Sequence, residues 1–228
     1  MIDPLIRLSK VDFRYDGHHL VLSQCDFELY RGQRVAIIGA NGSGKTTLLH
    51  LIVGLLRPSA GVIEAFGRPR HSEADFREVR QRVGLLFQDP DDQLFCPTVA
   101  EDVAFGPLNL GKPRQEVVQI VQQTLAGLGL AGYERRVTYK LSGGEKRLVS
   151  LATVLAMQPE VLLLDEPTAG LDEQSTENLQ RLLSGLRQAM VLVSHQRDFI
   201  ARTATSVLKL QNGRLHPANA EAAHLSNI

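Results

Sequence analysis

The stretch that decides the fold is Gly39-Ala40-Asn41-Gly42-Ser43-Gly44-Lys45-Thr46, and Thr47 follows it directly. It fits the pattern G-x-x-x-x-G-K-[ST] between a short apolar run at residues 35–38 and a helix-like segment. Glycines allow main-chain N–H groups to turn inward around phosphate oxygens, and the next helix adds the positive end of its dipole. The stretch predicts a phosphate-binding loop (P-loop) between a buried strand and a helix.

Residues 39–47 are therefore the first predicted nucleotide-binding set. Lys45 is expected to reach the β- and γ-phosphate oxygens, and the Thr46 hydroxyl is expected to ligate Mg²⁺. The other residues of the loop supply main-chain N–H groups, so their side chains matter less than their conformations.

An acidic strand end completes this pattern at Val161-Leu162-Leu163-Leu164-Asp165-Glu166. Adjacent residues of a strand point in different directions. Asp165 is therefore predicted to hold the Mg²⁺ shell, while Glu166 faces the position of an attacking water and acts as its base. The alternative is that both are solvated acids at a strand end.

The remaining patterns predict an α/β fold with a mainly parallel core sheet. Short apolar runs at residues 35–38, 83–87, 161–164 and 190–193 alternate with helical segments, the first helix being expected at residues 45–56. The first third alternates apolar and polar residues, as half-buried antiparallel strands of a separate β-subdomain do.

Strand signals vanish between Gln88 and Met157, where capping-box patterns start at Thr98 and Ser142. This predicts a helical subdomain inserted into the core. The predicted boundaries are 1–88 and 158–216 for the two parts of the core, 89–157 for the helical subdomain and 217–228 for a peripheral tail.

Composition excludes several classes of protein. The chain has 228 residues, 43% apolar and 22% charged, which does not fit disordered or collagen-like chains. Lys and Arg number 25, as do Asp and Glu, so we expect no nucleic-acid partner. Two cysteines without CxxC spacing argue against a disulfide scaffold. No apolar run suits a membrane span, and the N-terminus lacks a signal-peptide pattern, so a membrane role would need spanning partners.

The P-loop and acidic strand alone fit kinases, GTPases and many ATPases. The discriminating stretch is Leu141-Ser142-Gly143-Gly144-Glu145, a second glycine-rich helix start inside the predicted insertion. With it, the chain resembles the ATP-binding-cassette (ABC) ATPases over nearly its whole length. The resemblance implies an ABC-type nucleotide-binding domain of the P-loop NTPase class that uses ATP and Mg²⁺, with Ser142, Gly143, Gly144 and Glu145 as a second nucleotide-binding set, called the signature.

The resemblance also implies roles for four further residues. Tyr15 matches the aromatic residue that stacks on adenine, and Gln88 matches the catalytic glutamine that ligates Mg²⁺ and links core and insertion. Asp172 lies in the nucleotide-binding loop after the acidic strand, and His195 matches the catalytic histidine at the γ-phosphate. Taken singly, Tyr15, Gln88 and His195 would be an edge aromatic, a strand terminus and a structural histidine.

Two departures from the family pattern stand in the chain. Ala40 occupies a position where proline is common, which we expect to be harmless because the main chain acts there. Gln196 follows His195 where an acid is common, so Asp198 is the nearest carboxylate in sequence.

The stretch Phe87-Gln88-Asp89-Pro90-Asp91-Asp92-Gln93-Leu94-Phe95 narrows the resemblance to the energy-coupling-factor branch, specifically CbiO-like ATPases of cobalt and nickel uptake. This implies an ATP-hydrolysing subunit on the cytoplasmic face of the inner membrane that drives metal-ion import. A vitamin cargo is the main alternative. The three acids are expected to meet basic groups of a partner, unless they form a solvated loop.

The implied partners are three. A second ATPase subunit forms a head-to-tail dimer, with a homodimer favoured. A transmembrane coupling subunit docks near residues 88–95, and a substrate-binding membrane subunit selects the cargo. The rival hypotheses are a non-transport cassette ATPase and a regulatory nucleotide-binding module without turnover.

Overall fold

A computed structural model describes residues 3–15 and 19–218, and in them two sheets carry the fold. The strands are β1 (Ile6–Tyr15), β2 (His19–Leu29), β3 (Arg34–Ile38), β4 (Ala60–Ala65), β5 (Arg68–Pro69), β6 (Val83–Leu86), β7 (Val161–Asp165), β8 (Ala189–Val193), β9 (Ser206–Gln211) and β10 (Arg214–Ala218). The helices are α1 (Lys45–Ile52), α2 (Glu73–Arg82), α3 (Val99–Asn109), α4 (Arg114–Gly127), α5 (Gly143–Ala156), α6 (Glu173–Gly185) and α7 (Arg197–Thr203).

The six-stranded core sheet has the order β10-β9-β3-β8-β7-β6. The five strands from β9 to β6 are parallel, and β10 returns antiparallel to β9. Continuous apolar runs suit these strands because helices or the other sheet cover both faces. Leu163 and Val191 pack on the face shared with α1, whereas Leu164 and Leu192 pack against the helices of the opposite face. The mainly parallel α/β prediction is confirmed.

The second sheet is antiparallel, in the order β2-β1-β4-β5. Its alternating residues follow the predicted pattern, with Ile6, Leu8 and Phe27 buried. These side chains pack with Leu48 and Ile52 of α1 in one apolar cluster. The helix that follows the P-loop is thereby held between the two sheets.

Helix α1 ends four residues earlier than the sequence predicts. It stops at Ile52, although the sequence predicts a helix over residues 45–56 that ends just before Pro58. Gly54 lies in the left-handed region at φ 72°, and its amide and that of Leu55 bond back to the carbonyls of Leu51 and His50. This glycine stop satisfies the last carbonyls of the helix and ends it before the proline.

The segment between β6 and β7 is helical, as predicted. It contains α3, α4, α5 and two 3₁₀ turns, Pro90–Asp92 and Thr138–Lys140, around an apolar cluster of its own. Both predicted capping boxes form, from Thr98 to Glu101 and from Ser142 to Glu145. Because β6 and β7 are neighbouring strands, both ends of the segment leave the core sheet side by side.

The chain beyond residue 216 differs in part from the predicted peripheral tail. Pro217 and Ala218 belong to β10 and pair with Leu208 and Val207 of β9. Asn212 and Gly213, both at positive φ, make the tight turn between these strands. The rest of the predicted tail lies outside the described residues, and the four predicted boundaries stay predictions.

Candidate nucleotide site

The P-loop leaves the carboxyl end of β3 and enters α1 without a side-chain cap. Its last glycine, Gly44, is the N-cap at φ 102°, and a Cβ there would lie 2.7 Å from Val21 Cγ1. Only glycine fits this position without strain. The first N–H groups of α1 are therefore not capped by a side chain of the helix start, as an anion site requires.

Lys45 lies folded against its own loop. Its Nζ donates to the carbonyl oxygens of Gly39 and Ala40, each at 2.9 Å. The side chain is buried, and burial lowers the pKa of Lys45, while the charges of Glu166 and Asp165 oppose that shift. The ammonium group thus lies beside the carboxylates at the edge of the core sheet.

Thr46 and Asp165 form the contact expected of a magnesium site. Thr46 Oγ1 donates to Asp165 Oδ2 at 2.6 Å. Asp165 is 2% exposed, and burial raises its pKa while the Thr46 hydrogen bond opposes the rise. A hydroxyl and a carboxylate are hard oxygen ligands of the kind Mg²⁺ takes beside phosphate oxygens, so the residues present fit this metal. In the described residues 3–15 and 19–218, no group of three or more His, Cys, Asp or Glu side chains is arranged to hold a metal ion by itself.

Glu166 follows β7 in an uncommon conformation. Its φ is 46°, in the left-handed region that non-glycine residues rarely adopt, and its amide donates to Val193 O at 2.9 Å. The side chain therefore leaves the line of the strand and its Oε1 lies 3.3 Å from His195 Nε2. Burial raises the pKa of Glu166, and the neighbouring His195 opposes the rise. A carboxyl of raised pKa beside a histidine is suited to proton transfer.

One cavity of about 390 Å³ collects most of the predicted site residues. Tyr15 lines it with a half-exposed ring, and its hydroxyl lies 3.1 Å from Thr47 Oγ1. The predicted residues lining the cavity are Tyr15, Asn41, Gly42, Gly44, Lys45, Thr46, Thr47, Gln88, Asp165, Glu166 and His195. Val21 and Val193 also line it and were not predicted, because an apolar strand residue gives no sequence signal for a site. Gly39, Ala40 and Ser43 do not line the cavity.

The signature lies elsewhere. Ser142, Gly143, Gly144, Glu145 and Asp172 line a different cavity of about 940 Å³, which shares no lining residue with the P-loop cavity. The fold therefore does not bring the two glycine-rich helix starts of one chain to the same cavity.

Two of the predicted nucleotide-binding residues that line the signature cavity, Glu145 and Asp172, already have partners within the chain. The Glu145 carboxylate accepts from the Ser142 amide at 2.8 Å and also contacts Tyr133 and Arg136, which lowers its pKa to about 2, the Ser142 bond being the largest cause. Asp172 accepts from the Ser175 amide and caps α6. Their roles toward nucleotide stay predictions.

Two of the three acidic side chains after Gln88, those of Asp89 and Asp91, already have partners within the chain. Asp89 caps the 3₁₀ turn through the Asp91 amide, and Asp91 forms an ion pair with Lys146 of α5. Among the described residues, Asp92 has no hydrogen bond or ion pair through its side chain. An apolar groove of about 360 Å³ begins next to this stretch and includes the exposed rings of Phe95 and Phe105, which meet edge to face.

The ABC transporter family profile matches residues 22–169, which span the P-loop, the signature and the acidic strand. The chain belongs to the ABC transporter family. A nickel import ATP-binding protein, NikO, of Rhodobacter capsulatus is 44% identical over 98% of this chain and 92% of its own length. A cobalt import ATP-binding protein, CbiO, of the same organism is 43% identical over 98% of this chain and 81% of its own length.

Two further similarities extend the comparison. An energy-coupling factor transporter ATP-binding protein, EcfA, of Methanothermobacter thermautotrophicus is 43% identical over 92% of this chain and 69% of its own length. The solved structure of cbiO1 from Clostridium perfringens, part of the ABC transporter complex cbiONQ, superposes with a TM-score of 0.84 at 33% identity, covering 96% of this chain and 90% of that one. The predicted fold, family branch and ATP-hydrolysing activity of an ABC transporter subunit are confirmed. In residues 3–15 and 19–218 no helix has the length and apolarity to cross a membrane.

Proposed function

We propose that this chain is the ATPase of an energy-coupling-factor importer for a transition-metal ion, cobalt or nickel. The observation that carries the chemistry is the cavity where Lys45, Thr46, Asp165, Glu166 and His195 meet. Support for a metal cargo comes from the relatives whose names print nickel and cobalt import. A vitamin remains the alternative cargo, since energy-coupling-factor relatives of similar identity carry no cargo in their names.

Catalysis in this proposal rests on positioning and charge. Lys45 leaves its loop carbonyls to bind the β- and γ-phosphate oxygens, and Tyr15 stacks on the adenine ring. Thr46, Asp165 and Gln88 would hold Mg²⁺, which supplies charge neutralisation at the phosphates when bound. Glu166 takes a proton from the attacking water, and His195 donates to the γ-phosphate.

The proposed assembly is a head-to-tail dimer, with a homodimer favoured. Its support is the separation of the P-loop cavity from the signature cavity, because a second copy can bring its own Ser142 to the nucleotide of the first. Each dimer then holds two composite sites. ATP closes the dimer, and hydrolysis opens it.

The proposed membrane partners are a transmembrane coupling subunit, which docks along Gln88–Phe95, and a substrate-binding subunit. This would place the chain peripherally on the cytoplasmic face of the inner membrane. The groove that contains Phe95 and Phe105 offers an apolar docking surface. Asp92, which lines a separate cavity with Phe87 and Gln88, offers a charge within the same segment. Charged groups set the orientation of docking, and buried aromatic anchors supply most of its free energy.

A double variant tests the docking site. Asp92→Ala/Phe95→Ala should lower capture of the membrane subunits and reconstituted uptake at least ~10-fold, equivalent to about 1.4 kcal/mol, with ATP binding near normal. Asp91 is spared because its loss would also break the ion pair with Lys146. Tyr139→Ala is the matched control, since Tyr139 is an exposed aromatic of the helical segment outside the groove. Intact uptake in the double variant would refute the docking site.

The cargo is tested on the assembled complex. Co-purified membrane subunits should carry nickel or cobalt that elemental mass spectrometry detects, and uptake of that metal should require ATP. A bound vitamin and no metal-dependent uptake would refute the metal cargo while leaving the ATPase assignment intact.

A further inference from the structure

Arg147 of α5 is buried deeply for a charged side chain. It is 3% exposed, and no carboxylate lies within 4 Å of its guanidinium in the described part of the chain. Its Nη1 donates to Phe87 O at 2.7 Å, its Nη2 donates to Gln88 O, and its Nε is buried without a partner. Removing a charge from water is costly unless strong hydrogen bonds compensate. Arg147 makes those bonds to the carbonyls of two successive peptide groups, one on each side of the Gln88 Cα.

The same segment has two further attachments to α5. The side-chain Nε2 of Gln93 donates to Ser150 O at 2.8 Å and to Thr153 Oγ1 at 2.7 Å. The Oε1 of the same side chain accepts from the main-chain amide of Phe87 at 3.1 Å. Asp91 pairs with Lys146 near the surface. Residues 87–93, called the Gln88 segment below, are thus attached to α5 along about two turns of the helix.

These attachments connect two sites that the fold keeps apart. Gln88 lines the P-loop cavity, whereas the N-terminus of α5 with Ser142 lines the signature cavity. Arg147 is five residues beyond Ser142, the N-cap of α5, which is about one and a half turns along the helix. Arg147 and Gln93 are therefore buried or part-buried hydrogen-bonded links between α5 and the segment that contains Gln88, and only the Arg147 link reaches the Gln88 carbonyl directly.

We propose that Arg147 is a positioning residue that makes the Gln88 segment and α5 move as one unit, so that engagement of the signature at one nucleotide repositions Gln88 at the other. Aliphatic packing alone would not need the charge, whereas two bonds from a planar fork fix the orientation of the carbonyls they meet. Gln93 acts as the second anchor. The inference rests on the proposed dimer for its effect across two sites, but the attachment itself exists in the single chain.

Hydrogen–deuterium exchange of two regions tests the inference, namely residues 87–95 and residues 143–156. Without nucleotide, Arg147→Met should speed exchange in residues 87–95 at least ~10-fold, because two charge-assisted bonds are lost. Lys146→Met is the matched control: it removes the neighbouring cation, whose exposed pair with Asp91 is weak, and should change that exchange less than ~3-fold. Equal exchange in wild type and Arg147→Met would overturn the inference.

The second arm uses ATP and Mg²⁺ in a Glu166→Gln background, where we expect bound ATP to slow exchange in both regions. Adding Arg147→Met should keep the protection of residues 143–156 and remove most of that of residues 87–95. Equal protection of both regions would overturn the inference. Absence of ATP protection before Arg147 is changed would instead contradict the proposed dimer, and the nucleotide-free arm would still decide the role of Arg147.

Two further measurements separate positioning from stability. The kcat of ATP hydrolysis by Arg147→Met should fall ~10-fold relative to wild type. Its KM for ATP should stay within ~2-fold of wild type, since the P-loop contacts are untouched. Arg147→Lys, which keeps the charge without the fork, should restore less than half of the lost kcat. If Arg147→Met does not fold, Gln93→Met should show the same loss of protection in residues 87–95. Unchanged kcat in Arg147→Met, or unchanged exchange in Gln93→Met, would overturn the inference.

Discussion

The two glycine-rich helix starts of this chain differ in what their first N–H groups do. At α1 the N-cap is Gly44, and no side chain caps the helix. At α5 the Ser142 hydroxyl accepts from the Glu145 amide, and the Glu145 carboxylate accepts from the Ser142 amide. The first start has no side-chain cap, whereas the second has one of its first N–H groups, that of Glu145, capped by Ser142.

This difference suits the P-loop to binding a nucleotide and the signature to responding to a nucleotide bound elsewhere. The open P-loop lines one cavity with Asp165, Glu166 and His195, to which the proposal assigns the chemistry, so we expect it to bind a nucleotide within one chain. The capped signature lies on a separate cavity with no acid–histidine pair like Glu166–His195 in its lining. In the proposed dimer, the phosphate that meets this helix start belongs to the nucleotide held by the other copy.

The largest expected contrast comes from the same substitution in the two regions. Glu166→Gln should lower turnover at least ~100-fold because the amide cannot take a proton, a loss typical for a general base. Glu145→Gln keeps a capping-box residue and should change turnover less than ~3-fold. Steady-state hydrolysis measures both, and direct ATP titration should show near-normal binding in each. Near-wild-type turnover of Glu166→Gln would remove the assigned base.

A glycine pair gives the next contrast. Gly44→Ala places a Cβ at φ 102° and 2.7 Å from Val21, and such strain costs about 1–3 kcal/mol. We expect at least ~10-fold weaker ATP binding, since about 1.4 kcal/mol corresponds to tenfold. Gly143→Ala meets nothing within 4 Å and should leave ATP binding by the single subunit unchanged. Isothermal titration calorimetry measures ATP affinity, and thermal unfolding checks that both variants are folded. Equal losses of ATP affinity in the two variants would contradict the comparison.

The smallest contrast is in the pH dependence of stability. The pKa of Glu145 is lowered from 4.5 to about 2, so its contribution is present above pH 4.5 and is lost as the pH falls toward 2. The pKa of Glu166 is raised by burial, so the folded protein loses stability as the pH rises from 4.5 through that raised value.

The expected sizes are modest because Glu145 is partly solvated, which limits its contribution to about 1 kcal/mol. Chemical denaturation at pH 3 and pH 7 should show Glu145→Gln destabilised at pH 7 only, and Glu166→Gln stabilised at pH 7 only. The opposite signs would show that the environments of the two carboxylates are wrongly described.

Local patterns predicted most of the fold. The P-loop, the acidic strand and both capping boxes each depend on neighbours in sequence, and each forms where its pattern indicates. The early end of α1 was missed because Pro58 is the stronger sequence signal, whereas Gly54 stops the helix through main-chain bonds. Two residues assigned to the tail, Pro217 and Ala218, lie in β10. They were missed because the sequence of β10 has no clear apolar alternation that would predict a strand.

The site was predicted where one motif supplies it and missed where distant segments meet. Lys146 and Arg147 have the sequence pattern of a solvated helix face, yet Arg147 is buried against the Gln88 segment, sixty residues away in sequence. Asp91 was expected to be free for a partner, but Lys146 pairs with it. Such contacts depend on the packing of the helical segment against β6, which no local pattern encodes.

The central claim is that the P-loop and the signature of one chain serve different nucleotides, and sedimentation of two variants tests it most directly. At saturating ATP and Mg²⁺, Glu166→Gln should sediment as a closed dimer. Glu166→Gln/Ser142→Arg should sediment as a monomer with ATP affinity within ~3-fold, because the arginine fills the signature of each copy while the P-loop is untouched. A monomeric Glu166→Gln, or a double variant that dimerises as well as its parent, would contradict the composite site.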